Sequence, residues 1–441
     1  MTTAITVLIA NSLRVGRRWA WWVALLVVLF GVVLYLLVLI IGLSIDPSEL
    51  DGIDLEIPQN TANRIVSLAT LLLVVARDAF RVPGKGKRRR AIAGAAPDGA
   101  RSLLQQYGGT SLSYLTTWPE NRHFVTADGM GYIAFRKYAG VALGLSDPVG
   151  PPGSTAQIFD EFVAMCDRAG LVPVVFSCTE ATAQVARERG WRVAQVAEDT
   201  LVDLPDLAFK GKKWQDIRTA LNRAPKEGVS FRMVTLQDEP WRLVNQVEDV
   251  SQEWLGDKAL PEMGFTLGGI DEALDPHVRV GIAIDEEGRL HGVTSWMPVY
   301  GAGGEIEGWT LDLMRRTPHS FKYVMEFLIA SSLLEFKESG AKFVSLSGAP
   351  LARSAPPADA EEAAEASAMD AVLDMLGQSL EPVYEFRSLH RFKSKFQPRV
   401  SPMYLVFRDE ADLPRIGVAI TRAYLPDART RDFMAVLRAA S

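Results

Sequence analysis

The feature that most constrains this chain is a run of 25 residues without a charged side chain, Trp19–Leu43. A helix needs about 20 apolar residues to cross the hydrocarbon core of a bilayer, so this run is long enough to span one. Three tryptophans stand at its start, where membrane helices carry an aromatic belt. The run is too long for the core of a signal peptide. It therefore predicts a membrane-spanning helix rather than a buried core helix.

A second, shorter apolar run covers Ile65–Ala76, and by length alone it fits a short span, a re-entrant segment or a core helix. The flanking charges favour a span. Arginines precede the first run, acidic residues separate the runs, and a basic cluster ending at Arg90 follows the second. Because basic flanks face the cytoplasm, we expect a helical hairpin with spans at about 19–43 and 62–80, within an anchor over residues 1–90. We then expect a two-span protein of the cell membrane in which the chain after Arg90 is cytoplasmic.

Charge and rare residue types exclude several functional classes. The formal net charge is −6, so contacts with RNA or anionic lipid require local basic patches. The two cysteines, Cys166 and Cys178, have no Cys/His cluster beside them, which argues against a zinc site and a disulfide framework. The five histidines show no metal-ligand spacing. We therefore expect no metal and no other cofactor.

From about Asp98 onward, helical and strand patterns alternate, which predicts an α/β or α+β fold. The helical pattern Ser154–Ala169 leads into the apolar strand Val172–Phe176, and the same order recurs where Phe321–Ser339 leads into Phe343–Ser347. This recurrence predicts two successive α/β units, although the sequence shows no strict repeat. We place these domains at residues 98–205 and 206–412, with a disordered Ala/Glu/Pro-rich insertion at 354–368 and a helical tail at 413–441.

The first candidate functional region is a basic segment, Phe209–Arg223. As a helix from Lys213 onward, it gathers several polar and basic side chains on neighbouring faces. Two interpretations fit this pattern equally well: a solvated charged face, or a cradle for the phosphates of RNA or lipid. The candidate binding side chains are Lys212, Lys213, Arg218 and Asn222.

A carboxylate inside an apolar strand pattern marks the second region, Trp309–Arg316. Strand alternation places Thr310, Asp312 and Met314 on one face. An aspartate among apolar neighbours is costly unless it is paired, and the candidate partner is Arg315 or Arg316. The pattern fits either a structural ion pair or a polar site.

The third region, Tyr384–Pro398, interleaves basic residues with aromatic ones and includes Lys393 and Lys395. Such a mixture suits contacts with phosphates and stacking on unpaired bases. The alternative is a basic amphipathic segment that closes the core.

Taken in chain order, short motifs resemble the catalytic domain of the aminoacyl-phosphatidylglycerol synthases. These are the lysyl- or alanyl-phosphatidylglycerol synthases, also called multiple peptide resistance factors. The resemblance covers residues 100–407 and depends on six motifs in order rather than on any one of them. The motifs are Asp147–Gly150, Gly211–Lys213, Glu262–Phe265, Leu311–Arg316, Leu346–Leu351 and Phe392–Pro398.

The resemblance implies two tandem acetyltransferase-like (GNAT) domains that take an aminoacyl-tRNA and esterify a hydroxyl of a membrane glycerolipid, with the bilayer as a further partner. In the family, this activity is associated with resistance to antimicrobial peptides. Asp312 and Arg315 fall at catalytic positions. With the basic segment included, the substrate-binding candidates are Glu262, Lys212, Lys213, Arg218, Asn222, Ser347, Lys393 and Lys395.

The chain also departs from the family pattern. Ser146 stands where the family usually has glycine, and Val400 stands where tryptophan is common. At most two spans fit before the catalytic part, so the long multi-span flippase portion is missing. We therefore do not expect this chain to translocate its product across the membrane.

The predicted function is tRNA-dependent aminoacyl transfer to phosphatidylglycerol or a related glycerolipid, on the cytoplasmic face. An aminoacyl ester is already activated, so no ATP is needed. We expect Asp312 to orient or deprotonate the acceptor, and Arg315 and Lys395 to hold phosphate or oxyanion charge. The alternatives are a transferase acting on a lipid-linked peptidoglycan precursor and a non-catalytic, membrane-tethered lipid- or RNA-binding module. An acyl-CoA acetyltransferase is disfavoured because no glycine follows Met314 to cradle a pyrophosphate.

Overall fold

The computed structural model describes residues 97–256, 263–350 and 386–426. The predicted membrane hairpin, the predicted insertion and Glu262 lie outside these ranges, as does most of the predicted tail beyond its first helix. In the part of the chain that is described, no helix has the length and apolar character needed to cross a membrane.

The chain forms two compact units, residues 1–93 with 164–171, and residues 94–163 with 172–441. Of the first unit, the structure describes only residues 164–171, which include the C-terminal end of one helix. All the other described elements belong to the second unit.

The described elements fall into two halves, and each half contains three strands, a helix, a strand, a helix and a strand in this order. The first half contains α1 (Pro97–Tyr107), β1 (Arg122–Val125), β2 (Tyr132–Tyr138), β3 (Val141–Leu145), α2 (Thr155–Ala169), β4 (Val172–Cys178), α3 (Glu180–Glu188) and β5 (Arg192–Asp203). The second half contains α4 (Gln215–Arg223), β6 (Val229–Val234), α5 (Trp241–Gly256), α6 (Ile270–Ala273), β7 (Arg279–Asp285), β8 (Leu290–Tyr300), β9 (Ile306–Arg316), α7 (Val324–Glu338), β10 (Phe343–Pro350), α8 (Phe386–Lys393), β11 (Arg399–Phe407) and α9 (Leu413–Tyr424).

The strands form one sheet in the order β1-β2-β3-β4-β11-β5-β10-β9-β8-β7-β6. Among the described strands, only β3–β4 and β9–β10 pair in parallel, and in each case a helix, α2 or α7, makes the crossover that parallel neighbours require. The last strands of the halves are exchanged, since β5 pairs with β10 and β11 pairs with β4. The α/β class and the two successive α/β units are confirmed, whereas the predicted domain boundaries stay predictions.

A serine with a left-handed backbone interrupts the corresponding strand in each half. Ser177 in β4 has φ 56°, Ser347 in β10 has φ 68°, and the strand register shifts at both places. A non-glycine residue in this region carries a backbone cost of about 1–2 kcal/mol. The same irregularity therefore occurs at the corresponding place in both halves. The bulge at Ser347 contributes to the candidate site.

Both faces of the sheet are covered by helices around β8 and β9. On one face, α5 contributes Val247 and Val250 to a buried cluster that includes Met297 of β8. On the other face, α7 contributes Leu333 to a cluster that includes Trp296. Adjacent residues of a strand point to opposite faces. The cluster that a β9 side chain joins therefore shows whether it points toward α5 or toward α7.

Candidate active site

A β-bulge in β9 determines which of its side chains share a face. Thr294 of β8 pairs with Met314, and Trp296 pairs with Leu311, so Asp312 and Leu313 together oppose the single residue Ser295. The hydroxyl of Ser295 accepts a hydrogen bond from the Leu313 amide at 2.9 Å, which fixes the extra residue. Such a bulge reverses the alternation of side chains beyond it.

The reversal corrects the predicted grouping of side chains on β9, and it explains how Asp312 and Arg315 share a face. Met314 packs with the α7 cluster, whereas Leu313 belongs to the α5 cluster. The predicted grouping of Thr310, Asp312 and Met314 on one face was therefore wrong for Met314. In a regular strand, residues 312 and 315 would point to opposite faces, but here both point to the side covered by α5.

Asp312 is half-buried and is held by the loop before α6. Its Oδ1 accepts a hydrogen bond from the Gly268 amide at 2.7 Å. A Cβ at position 268 would overlap Oδ2 of Asp312 and lie 3.1 Å from Cη2 of Trp118. Only glycine allows the backbone to approach the carboxylate this closely, so Gly268 is part of the site.

Arg315 stacks on an aromatic ring of α5. Its Cζ lies 3.7 Å from the ring centroid of Trp254, and its Nη1 donates to the Met314 carbonyl at 2.9 Å. A guanidinium over an indole is attracted by about 0.5–2 kcal/mol, depending on how far both are desolvated. The stacking orients a cation on the same face as Asp312.

The pairing of β9 with β10 ends next to Asp312. The two strands pair in parallel only as far as Thr310 and Ser345, after which β10 continues along β5, with Gly348 opposite Asp199. Asp312 and Ser347 each follow the last shared pair by two residues. We call this unpaired end of the two strands the opening between β9 and β10, and both strands contribute polar groups to it.

A buried polar network lies next to this opening. The carboxylate of Asp199 on β5 accepts hydrogen bonds from the hydroxyl of Ser111 at 2.6 Å and from that of Ser345 at 2.5 Å. The Ser111 carbonyl in turn accepts a hydrogen bond from the hydroxyl of Thr310 at 2.7 Å. Burial raises the pKa of Asp199, and the serine hydroxyls partly offset that rise.

Lys393, at the end of α8, is 3% exposed and reaches the β10 bulge. Its Nζ donates to the carbonyls of Ser347 at 3.0 Å and Gly348 at 3.1 Å. Burial lowers the pKa of Lys393 to about 8, because desolvation penalises the ammonium, while the nearby carboxylate of Asp199 acts in the opposite direction. The structure thus brings two predicted residues, Lys393 and Ser347, into direct contact.

The remaining predicted residues lie on neighbouring segments. Lys212 and Lys213 are exposed on a short 3₁₀ turn that contacts the turn Ser394–Phe396. Asn222 is exposed on α4, and Arg218 donates to the Gly211 carbonyl at 2.6 Å. Lys395 forms an ion pair with the largely buried Glu326 at 2.7 Å, so a substrate must compete with that carboxylate. The roles predicted for all these residues stay predictions.

Sequence reasoning missed Asp199, Ser111 and Gly268. One signal was present for the first of them: Glu198 and Asp199 are adjacent acids inside an otherwise apolar strand pattern, and both are buried. Charged groups of this kind are rare in strand interiors unless they are paired. No local pattern indicates that a hydroxyl from before β1 reaches that carboxylate.

Comparison with known proteins gives one matching family model and solved structures of similar fold. The family model described as "Phosphatidylglycerol lysyltransferase, C-terminal" matches residues 101–407. The L-PGS structure from Bacillus licheniformis is 27% identical, with a TM-score of 0.64 over 75% of this chain and 97% of that one. The C-terminal domain of a putative lysylphosphatidylglycerol synthetase from Agrobacterium fabrum has the same fold, with a TM-score of 0.64 at 21% identity, covering 78% of this chain and 99% of that one.

Relatives in sequence include proteins that are much longer than the matched region. An uncharacterised protein of Corynebacterium glutamicum is 40% identical over 74% of this chain and 41% of its own length. The Bacillus subtilis phosphatidylglycerol lysyltransferase is 26% identical over 74% of this chain and 37% of its length. The chain thus spans less than half the length of these relatives. Since the family model covers most of the chain, the protein belongs to the family of phosphatidylglycerol lysyltransferase C-terminal domains, as the order of its motifs predicted.

Proposed function

We propose that this protein transfers an amino acid from aminoacyl-tRNA to a hydroxyl of a membrane glycerolipid such as phosphatidylglycerol, at the cytoplasmic face of the cell membrane. Membership of a lysyltransferase family supports aminoacyl transfer to this lipid class. The observation that carries the proposal is the β9 bulge, which places Asp312 and Arg315 on one face beside the opening between β9 and β10. As part of the same proposal, each half of the fold is an acetyltransferase-like (GNAT) domain.

The proposed reaction is a direct exchange of esters. The acceptor hydroxyl oxygen attacks the carbonyl carbon of the aminoacyl ester, the bond from that carbon to the ribose oxygen breaks, and the acceptor proton passes to the ribose oxygen. Asp312, oriented by the Gly268 amide, holds and relays this proton. Arg315 and Lys393 supply positive charge for the developing oxyanion or for a substrate phosphate.

Anchoring by the predicted hairpin at about 19–43 and 62–80 is part of the proposal, because it would hold the site near its lipid substrate. The basic residues 85–90 add attraction to anionic headgroups, about 1 kcal/mol for each one near the surface. Membrane fractionation of the full chain, compared with a chain lacking residues 1–90, tests this anchoring: the first should pellet with membranes and the second should not. A full chain found in the soluble fraction would contradict the anchor.

The proposal is tested by incubating the purified full-length protein with radiolabelled aminoacyl-tRNAs and lipid vesicles. The vesicles contain phosphatidylglycerol in one arm and neutral diacylglycerol in another, and a third arm contains a lipid-linked peptidoglycan precursor. Label extracted into lipid in either of the first two arms is the expected result, and it names the acceptor. Label in the precursor alone would favour the peptidoglycan alternative, and intact charged tRNA in every arm would overturn enzymatic transfer.

Gly268→Ala should lower the rate of aminoacyl transfer by about 10–100-fold, because the new methyl group displaces the Asp312 carboxylate and small misplacements of catalytic groups are costly. The rate is measured in the vesicle assay, alongside thermal unfolding. The matched control in the same loop is Gly264→Ala, whose Cβ would lie 3.6 Å or more from its neighbours. Equal rates for the two variants would contradict the proposed role of this close approach.

A further inference from the structure

Asp199 is an unusual residue for the interior of a central strand. It is 4% exposed, and a carboxylate buried to this degree is expensive unless hydrogen bonds or charges compensate. Two short hydrogen bonds, from the hydroxyls of Ser111 and Ser345, provide that compensation. The proposed reaction does not require Asp199 to touch a substrate, so its presence in the core calls for another explanation.

Two hydrogen-bonded paths lead from this carboxylate to the candidate site. Along the first, Ser111 donates to Asp199, and the Ser111 carbonyl accepts from Thr310, which lies two residues before Asp312 on β9. Along the second, the Ser345 hydroxyl donates to Asp199 and accepts from the Ser347 amide. The carbonyl of Ser347 then accepts from Lys393.

We propose that Asp199 is a positioning residue for aminoacyl transfer, which holds the β10 bulge and the Lys393 ammonium in register with Asp312 across the opening between β9 and β10. This inference depends on the proposed function. Asp199 acts through Ser345 and Lys393 and is not itself a catalytic residue.

The chemistry of the bulge explains why an anion is needed there. Ser347 has a left-handed backbone, so its carbonyl keeps its direction only while its neighbours hold it. The hydroxyl of Thr200 also donates to that carbonyl, at 2.9 Å. The Lys393 ammonium has three N–H groups. Two of them donate to the carbonyls of Ser347 and Gly348 in the bulge. A nearby carboxylate keeps this buried lysine protonated, so that it is able to donate to a substrate oxygen.

The test is the pH profile of steady-state transfer for the full-length protein and its Asp199→Asn variant. The variant should have a kcat lower by about 10–100-fold, with the KM for aminoacyl-tRNA unchanged, because Lys393 and the bulge lose their position. The alkaline limb of its kcat profile should move to lower pH by about one unit, because the pKa of Lys393 falls further once the negative charge is gone. An unmoved limb or an unchanged kcat would overturn the inference.

Two further measurements make the outcome specific. Ser345→Ala removes a hydrogen bond but keeps the charge of Asp199, so it should lower kcat without moving the limb; it also serves if Asp199→Asn does not fold. Asp203→Asn, at the exposed end of the same strand, is the matched control and should behave as the wild type. The second measurement is the pKa of Lys393, determined by NMR in the wild type and in Asp199→Asn, and it requires no substrate. A lower pKa in Asp199→Asn supports the coupling even if the wild type transfers nothing, whereas an equal pKa contradicts it.

Discussion

Replacing Asp312 with asparagine is expected to lower the rate of aminoacyl transfer by about 10²–10⁴-fold, the usual contribution of a positioned general acid–base group. Asparagine has nearly the same shape, and its amide oxygen still accepts a hydrogen bond from Gly268. The variant therefore keeps the local geometry and loses the ability to take a proton. Transfer of label from aminoacyl-tRNA into lipid, measured in single turnover, isolates this step from product release.

The control for this substitution is Glu307→Gln on the same strand. Glu307 pairs with Lys342 near the protein surface, at 2.6 Å and away from the bulge at Asp312 and Leu313. The Glu307→Gln protein should transfer the amino acid at the wild-type rate. A folded Asp312→Asn protein that also transferred at the wild-type rate would show that Asp312 does not handle the acceptor proton.

The sequence predicted much of the fold because the fold depends on local patterns. The helix Ser154–Ala169 followed by a buried strand, and the same order at Phe321–Ser347, were enough to predict two α/β units. The exchange of the last strands was not predictable in this way. Pairing of β11 with β4 joins segments that are far apart in the chain, and short apolar strands carry no local mark of their partner.

The candidate site was predicted in its residues but not in its arrangement. The motif order identified Asp312, Arg315, Ser347 and Lys393, yet a regular strand would separate the first two. Their common face results from one bulged residue, which hydrophobic alternation does not reveal. Asp199 was missed for a related reason, because its contact with Ser345 joins residues 146 positions apart.

Replacing Lys393 with methionine is expected to lower transfer by about 10²–10³-fold at neutral pH, the usual cost of removing one oxyanion donor. Methionine fills the same buried space but donates nothing to the carbonyls of Ser347 and Gly348. The substitution also removes a titration from the folded state, which gives a readout that is independent of activity.

That readout is the pH dependence of stability. Burial lowers the pKa of Lys393 from its ordinary value of 10.5 to about 8, so between these values the unfolded chain binds a proton that the folded protein does not. The free energy of unfolding of the wild type should therefore rise with pH across this window, relative to the Lys393→Met protein. Since one pKa unit corresponds to about 1.4 kcal/mol, the difference should grow by roughly 3 kcal/mol at most.

The sign of this trend distinguishes a buried lysine from a paired surface lysine. Lys342 is exposed beside Glu307, which raises its pKa, so the folded protein holds its proton longer than the unfolded chain does. Relative to a Lys342→Met control, the wild type should lose stability as the pH rises, which is the opposite slope. Urea unfolding of the three proteins from pH 7 to about 12 measures both trends, because the loss of stability from Lys342 begins only near its unfolded pKa of 10.5. Parallel curves for the wild type and Lys393→Met would show that Lys393 titrates normally and that its ammonium is not held in a desolvated site.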